Sequence, residues 1–91
     1  MRKKPVDQRR DGPEPIGTRV RRLRLERGIA QEHLSIEAHV DQSGLSKFER
    51  GARNLGEVPL RRVANVLGLS FEDLISGSDF EPSHGRRPQP S

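Results

Sequence analysis

Apolar side chains recur at helical spacing through the middle of this 91-residue chain. In one segment they follow the i, i+3, i+4, i+7 pattern and end at a glycine, which is a stop signal for a helix. These positions are Leu60, Val63, Ala64, Leu67 and Gly68. An earlier segment, Ile16 to Arg27, also repeats apolar residues on one face, and Gly28 follows it. Both segments are predicted to be amphipathic helices, the later one with Pro59 in its first turn.

Three shorter helices are predicted from spacing and capping signals. Ala30 to Ala38 carries two apolar positions four residues apart. Asp41 is a favourable N-cap for a helix from about Gln42 to Arg50, whose polar face carries Gln, Ser and Lys. Ser70 caps a last short helix that ends near Ile75. No segment has a convincing strand pattern, so the sequence predicts an all-α domain of five helices.

The two ends of the chain differ from this middle part. Residues 1–14 contain five basic side chains, three acidic ones and two prolines, while residues 78–91 contain three prolines and a single large apolar residue, Phe80. Segments of this kind bury too little apolar surface to order themselves. We therefore expect a flexible basic arm over 1–14, one folded domain over 15–77 and a flexible tail over 78–91.

Composition narrows the function classes. Only 30% of residues are hydrophobic and none is cysteine, which predicts a modest core with neither disulfides nor thiolate chemistry, as suits a reducing cytoplasm. No apolar run reaches the roughly 18 residues of a membrane helix. A net charge of +4 favours an anionic partner, although a solvated basic surface gives the same value. No nucleophile–base pair, phosphate loop or ligand cluster is evident, so we expect no enzyme, cofactor or metal site.

The second and third helices are separated by a three-residue turn, His39 to Asp41, which is helix-turn-helix spacing. Several motifs here resemble the lambda-repressor and Cro-like family, also called the xenobiotic-response-element type. They are Gln31-Glu32-His33-Leu34, Ala38-His39-Val40, Leu45-Ser46-Lys47-Phe48-Glu49-Arg50-Gly51, Arg62-Val63-Ala64 and Leu67-Gly68. The likeness runs from Ile16 to Ile75 and implies a compact five-helix domain that binds double-stranded DNA.

The resemblance also implies roles for particular residues. In that family the third helix enters the major groove. There Gln42 would hydrogen-bond to adenine, and the Ser43 hydroxyl would donate to a guanine acceptor. The full base-reading set is Gln42, Ser43, Gly44, Ser46 and Lys47, and the alternative is a merely solvated polar face. Backbone contacts would come from Gln31, Arg50, Arg53 and Asn54. Arg24 and Glu49 match a structural ion pair. His39 departs from the family's turn glycine, and it should adopt a left-handed backbone at a cost of about 1 kcal/mol.

We therefore expect a cytoplasmic transcription regulator, of repressor type, bound as a homodimer to a palindromic operator. The predicted dimer surface is Leu69, Phe71, Leu74 and Ile75, with Phe80 adding to it. Three subtypes remain open: a phage-like repressor, a restriction-modification controller and an antitoxin. A protein-interaction adaptor that grips a partner through the two tails is the alternative from another class.

Overall fold

Five α-helices make up the part of the chain that the computed structural model describes, residues 13–81, and this part contains no β-strand. In chain order they are α1 (Ile16–Glu26), α2 (Gln31–Ala38), α3 (Gln42–Glu49), α4 (Glu57–Leu67) and α5 (Phe71–Ile75). The predicted all-α, five-helix fold is confirmed, with helix ends within one or two residues of those expected. None of these helices has the length and hydrophobicity needed to cross a bilayer.

Local chemistry sets most of the helix ends. The Asp41 carboxylate accepts the Gly44 N–H at 2.8 Å and begins α3, and the Ser70 hydroxyl accepts the Asp73 N–H at 3.0 Å and begins α5. Left-handed residues end the two preceding helices: His39 has φ 58° after α2, and Gly68 has φ 80° after α4. Both predicted N-caps and the left-handed His39 are therefore confirmed.

One apolar core lies between the five helices. Its members are Ile16, Val20, Leu23, Leu34, Ala38, Leu45, Phe48, Leu55, Leu60, Val63, Ala64, Leu67, Phe71 and Leu74. Phe48 of α3 is the largest fully buried side chain, and its burial contributes about 1.5–3 kcal/mol. Burial of Leu45 and Phe48 therefore fixes which face of α3 points to solvent.

The α1 and α3 backbones approach each other closely at Gly17. A Cβ built there would overlap the carbonyl oxygen of Phe48, so only glycine permits this spacing. The position of α3 relative to α1 thus depends on a backbone contact as well as on side-chain packing.

Hydrogen bonds hold the two ends of the described chain together. Glu14 donates its N–H to the Gly77 carbonyl at 3.0 Å and accepts the Asp79 N–H at 2.8 Å, and the Asp79 carboxylate accepts the Ile16 N–H at 2.8 Å. Phe80 packs edge-on against Phe71, with ring centroids 5.8 Å apart. We call residues 14–16 and 77–80 the terminal clasp. The domain thus extends beyond the predicted limits of 15–77, because Asp79 caps α1. The rest of the predicted arm and tail, residues 1–12 and 82–91, lies outside the described residues.

Two of the four predicted dimer residues belong to the core. Leu74 is fully buried and Phe71 is 6% exposed, so neither presents a surface to a partner. The reason is that α5 packs against both α1 and α4, and Arg19 of α1 donates to the carbonyls of Asp73 and Leu74. Leu69 and Ile75 are only partly buried.

Candidate nucleic-acid interface

Helices α2 and α3 form a helix-turn-helix. The chain leaves α2 at His39, Val40 packs partly into the core, and α3 begins after Asp41. Because Leu45 and Phe48 face inward, Gln42, Ser43 and Lys47 are exposed along the opposite side of α3. This exposed side of α3 is the candidate recognition face.

A buried ion pair holds α3 against α1. The Arg24 guanidinium donates to both carboxylate oxygens of Glu49, at 2.8 and 2.9 Å, and also to the Ile29 carbonyl at 2.9 Å. The two charged side chains are only 9% and 2% exposed. The ion pair implied by the resemblance is therefore present as a bidentate, nearly dry contact, a geometry in which each charge depends on the other.

Gln31 links this buried pair to the recognition face. Its amide nitrogen donates to Glu49 Oε1 at 3.1 Å, and its amide oxygen accepts from Gln42 at 3.4 Å. A chain of polar contacts thus runs from Arg24 to an exposed amide on α3. Gln31 is in place to orient the Gln42 side chain before any partner arrives.

The remaining predicted base-reading residues are not equivalent. Gly44 is buried and offers no side chain, and a Cβ there would lie 2.6 Å from a guanidinium nitrogen of Arg53. The close approach at Gly44 is therefore made by the Arg53 side chain. Ser46 is half-buried, and its hydroxyl accepts from Arg50 at 2.9 Å. The exposed functional groups of this set thus come from Gln42, Ser43 and Lys47.

Cations on the described chain fall into two groups. Most arginines donate to protein acceptors: Arg19 to α5 carbonyls, Arg22 to Glu14 and Glu26, Arg24 to Glu49, Arg27 to the Leu67 carbonyl, Arg61 to Glu57 and Arg62 to the Ala38 carbonyl. Within residues 13–81, Arg21, Lys47 and Arg53 make no such bond, and Arg50 bonds only a hydroxyl. All four lie on α3 or border it, so the available positive charge is concentrated around the recognition face.

A solvent-open cleft of about 490 Å³ separates α1 from α3 on this side of the molecule. Its walls are Thr18, Arg21, Gln31, Ser46, Glu49 and Arg50. Arg53 and Asn54 follow α3 and line a second cleft together with Pro15 and Asp79. Across residues 13–81 no three His, Cys, Asp or Glu side chains come together in a way that could hold a metal ion.

Sequence reasoning missed three residues that shape this region. Gly17 sets the α1–α3 spacing, Asp79 caps α1 from the far end of the chain, and Arg21 lines the cleft. A glycine in the first turn of a helix was an available signal for Gly17, because glycine is costly there without a packing reason. Nothing in the sequence separates Arg21 from the arginines around it.

Known proteins match this arrangement. A family model described as a helix-turn-helix domain matches residues 15–75. The HTH-type transcriptional regulator y4dJ of Sinorhizobium fredii is 36% identical over 74% of this chain and 87% of its own length. The restriction-modification controller protein C.AhdI of Aeromonas hydrophila superposes with a TM-score of 0.62 at 34% identity, over 65% of this chain and 89% of that one. The biofilm master regulator SinR, solved in complex with DNA, gives 0.61 at 34% identity, over 66% and 97%.

Proposed function

The chain belongs to the lambda-repressor and Cro-like helix-turn-helix family of DNA-binding transcription regulators, and from this premise we propose that it binds an operator as a homodimer, with α3 in the major groove. Its activity is then recognition without catalysis, and its site of action is the bacterial or phage-infected cytoplasm. Repression follows from occupying a promoter.

The distribution of cations carries this proposal. Arg21, Lys47, Arg50 and Arg53 surround the recognition face and have no acidic partner within residues 13–81, while arginines elsewhere are bonded to protein acceptors. Unpaired cations repel one another, so their grouping on one face lowers stability unless an anion binds there. The DNA backbone supplies that anion as a regular row of phosphates.

Base reading is assigned to Gln42 and Ser43. The Gln42 amide is exposed and braced by Gln31, so little side-chain freedom remains to be lost when it bonds the N6 and N7 edge of an adenine. Lys47 lies on the same exposed side of α3 and completes the set, whereas the Ser46 hydroxyl is bonded by Arg50 and Gly44 has no side chain to offer. Gln31, Arg50, Arg53 and Asn54 are assigned to the sugar-phosphate backbone.

Two-fold pairing is proposed because α3 has only eight residues and spans few base pairs. Leu69 and Ile75, with Phe80 beside them, are the partly exposed apolar residues near α5 that remain for a dimer surface. Sedimentation of the wild type and of Ile75→Glu tests this assignment, with loss of the dimer expected in the variant. A wild type that is monomeric both free and on DNA would refute it.

The regulator's subtype stays open among phage-like repressor, restriction-modification controller and antitoxin, although proteins named as controllers are among the matches. Neighbouring genes separate these subtypes: a methyltransferase gene indicates a controller, a toxin gene an antitoxin, and an integrase gene a phage repressor.

The deciding experiment is selection of preferred sites from a random pool of duplex DNA. We expect the wild type to return a palindrome. Gln42→Ala should lose the preference at one base of each half-site, worth about 1–3 kcal/mol, and Gln31→Ala should weaken the same position. Arg53→Ala should weaken all sequences together. Asn65→Ala is the matched control, because it removes an exposed amide from α4. Failure of the wild type to bind duplex DNA would favour the adaptor function instead.

A further inference from the structure

Two arginines line the cleft between α1 and α3. Arg21 projects from α1 and Arg50 follows α3, and the polar side chains of Thr18, Gln31 and Ser46 line the space between them. The cleft adjoins the recognition face, because Gln31 lines the cleft and also bonds Gln42. Its entrance is therefore accessible to a partner that lies along α3.

Arg21 differs from the other arginines of α1 because its side chain bonds no acceptor within residues 13–81. Arg19 donates to carbonyls of α5, Arg22 to the carboxylates of Glu14 and Glu26, and Arg24 to Glu49. Arg21 is exposed and makes no hydrogen bond or ion pair anywhere in residues 13–81. All five of its N–H donors are thus available to an incoming acceptor.

The charge inside the cleft is positive even though Glu49 contributes to its wall. Glu49 is 2% exposed and is already bonded by the Arg24 guanidinium and the Gln31 amide, so its charge is compensated from within. Arg50 gives one donor to the Ser46 hydroxyl, which keeps the guanidinium near the cleft and leaves its other donors unused. Two guanidiniums with no competing acid make a site for a compact, doubly accepting anion.

We propose that Arg21 and Arg50 form a clamp that holds one backbone phosphate of duplex DNA in the α1–α3 cleft. This inference rests on the proposed function and extends it, since it adds an anchoring residue from α1 to a surface otherwise built from α2, α3 and the following loop. The contact carries no base information. It fixes the register of α3 in the groove from a point on α1.

Salt dependence of binding to a short duplex of arbitrary sequence tests the clamp. Each neutralised phosphate adds about 0.9 to the slope of log affinity against log salt. Because Arg50 stays at the same phosphate, Arg21→Gln should lower the slope by less than about 0.9, and Arg21→Gln/Arg50→Gln should lower it by about that amount. With the affinities equal at about 1 M salt, a slope lower by about 0.9 corresponds to about 8-fold weaker binding at about 0.1 M salt and about 3-fold at about 0.3 M. Arg21→Lys should restore most of the slope, because lysine keeps the charge.

Arg22→Gln is the matched control, since it removes the same charge from the next residue of the same helix. It should change affinity by less than about 2-fold and leave the slope nearly unchanged, because Arg22 is already paired with Glu14. Equal effects of Arg21→Gln and Arg22→Gln would mean that net charge alone matters, and this result overturns the clamp.

Phosphate mapping adds a readout that a structural role would not move. In a selected site, single phosphates are replaced by uncharged methylphosphonates. At one position per half-site the replacement should weaken the wild type and Arg22→Gln more than Arg21→Gln, and it should leave Arg21→Gln/Arg50→Gln unaffected. Absence of any such position, with the wild type still binding DNA, refutes the clamp alone. Absence of DNA binding by the wild type refutes the proposed function itself.

Discussion

Removal of Arg24 should damage the domain more than removal of Arg24 and Glu49 together. In the wild type the Glu49 side chain is 2% exposed, and apart from Arg24 its side-chain donor is the Gln31 amide at 3.1 Å, so Arg24→Met should leave a buried carboxylate with this single donor. Breaking a buried pair in this way costs about 3–5 kcal/mol. A domain of this size has about 3–10 kcal/mol of total stability, so this variant should be at the limit of folding.

The double variant Arg24→Met/Glu49→Met leaves no buried charge behind. Replacing a buried pair by apolar side chains of similar volume is often neutral or stabilising. The free energy of unfolding of the double variant should therefore lie within about 2 kcal/mol of the wild-type value. It also removes the carboxylate that positions Gln31. We therefore expect a folded protein that binds DNA with weaker selectivity at the Gln42 base position.

Urea unfolding followed by the helical circular dichroism signal measures these differences. Glu26→Met is the control, because Glu26 is 54% exposed and its pairing with Arg22 on the helix surface is worth less than about 0.5 kcal/mol. Arg24→Met and Glu49→Met each lower the free energy of unfolding in this scheme. If their two losses simply add in the double variant, the buried pair is not coupled and the reasoning fails.

Three further perturbations have defined outcomes. Gly17→Ala should lower the free energy of unfolding by about 1–3 kcal/mol or more, because its Cβ meets the backbone of Phe48; a melting temperature equal to that of the wild type would contradict this contact. His39→Gly should not destabilise the domain, whereas His39→Val should cost about 1–2 kcal/mol, since only the first tolerates φ 58°; equal chemical denaturation midpoints would contradict this. The hydrogen bond from Arg22, aided by its charge, holds the pKa of Glu14 below its usual range. The ionised Glu14 carboxylate therefore stabilises the folded state fully above the ordinary carboxyl pKa, and this stabilisation is lost as the pH falls through the lowered pKa of the folded protein. The melting temperatures of the wild type and Glu14→Gln should accordingly converge only in acid.

The parts of the fold that depend on neighbouring residues were predictable from the sequence. Asp41 and Ser70 cap the helices they precede, and His39 takes the left-handed turn, because each of these interactions spans no more than three residues. The ion pair between Arg24 and Glu49 joins residues 25 positions apart and came from family resemblance, not from spacing.

What the sequence did not reveal depends on packing between distant segments. Arg21 and Arg22 are adjacent and identical in type, yet only Arg22 reaches Glu14, because that carboxylate lies against the face of α1 that carries Arg19 and Arg22, three residues apart. The sequence predicts Leu74 on a dimer surface because the short last helix has few core partners left to cover its apolar residues. Its full burial depends on α1, which lies more than 45 residues earlier in the chain.

The terminal clasp makes the domain suitable for backbone cyclisation. Glu14 and Asp79 are hydrogen-bonded at 2.8 Å, so the ends of the described domain already meet. A peptide linker joining them would close a ring that the native fold accommodates without moving α3. In the chain-entropy model, closing a loop of this length removes about 4 kcal/mol of unfolded-state entropy. A backbone-cyclised form should therefore resist heat and exoproteases while presenting the same face to DNA.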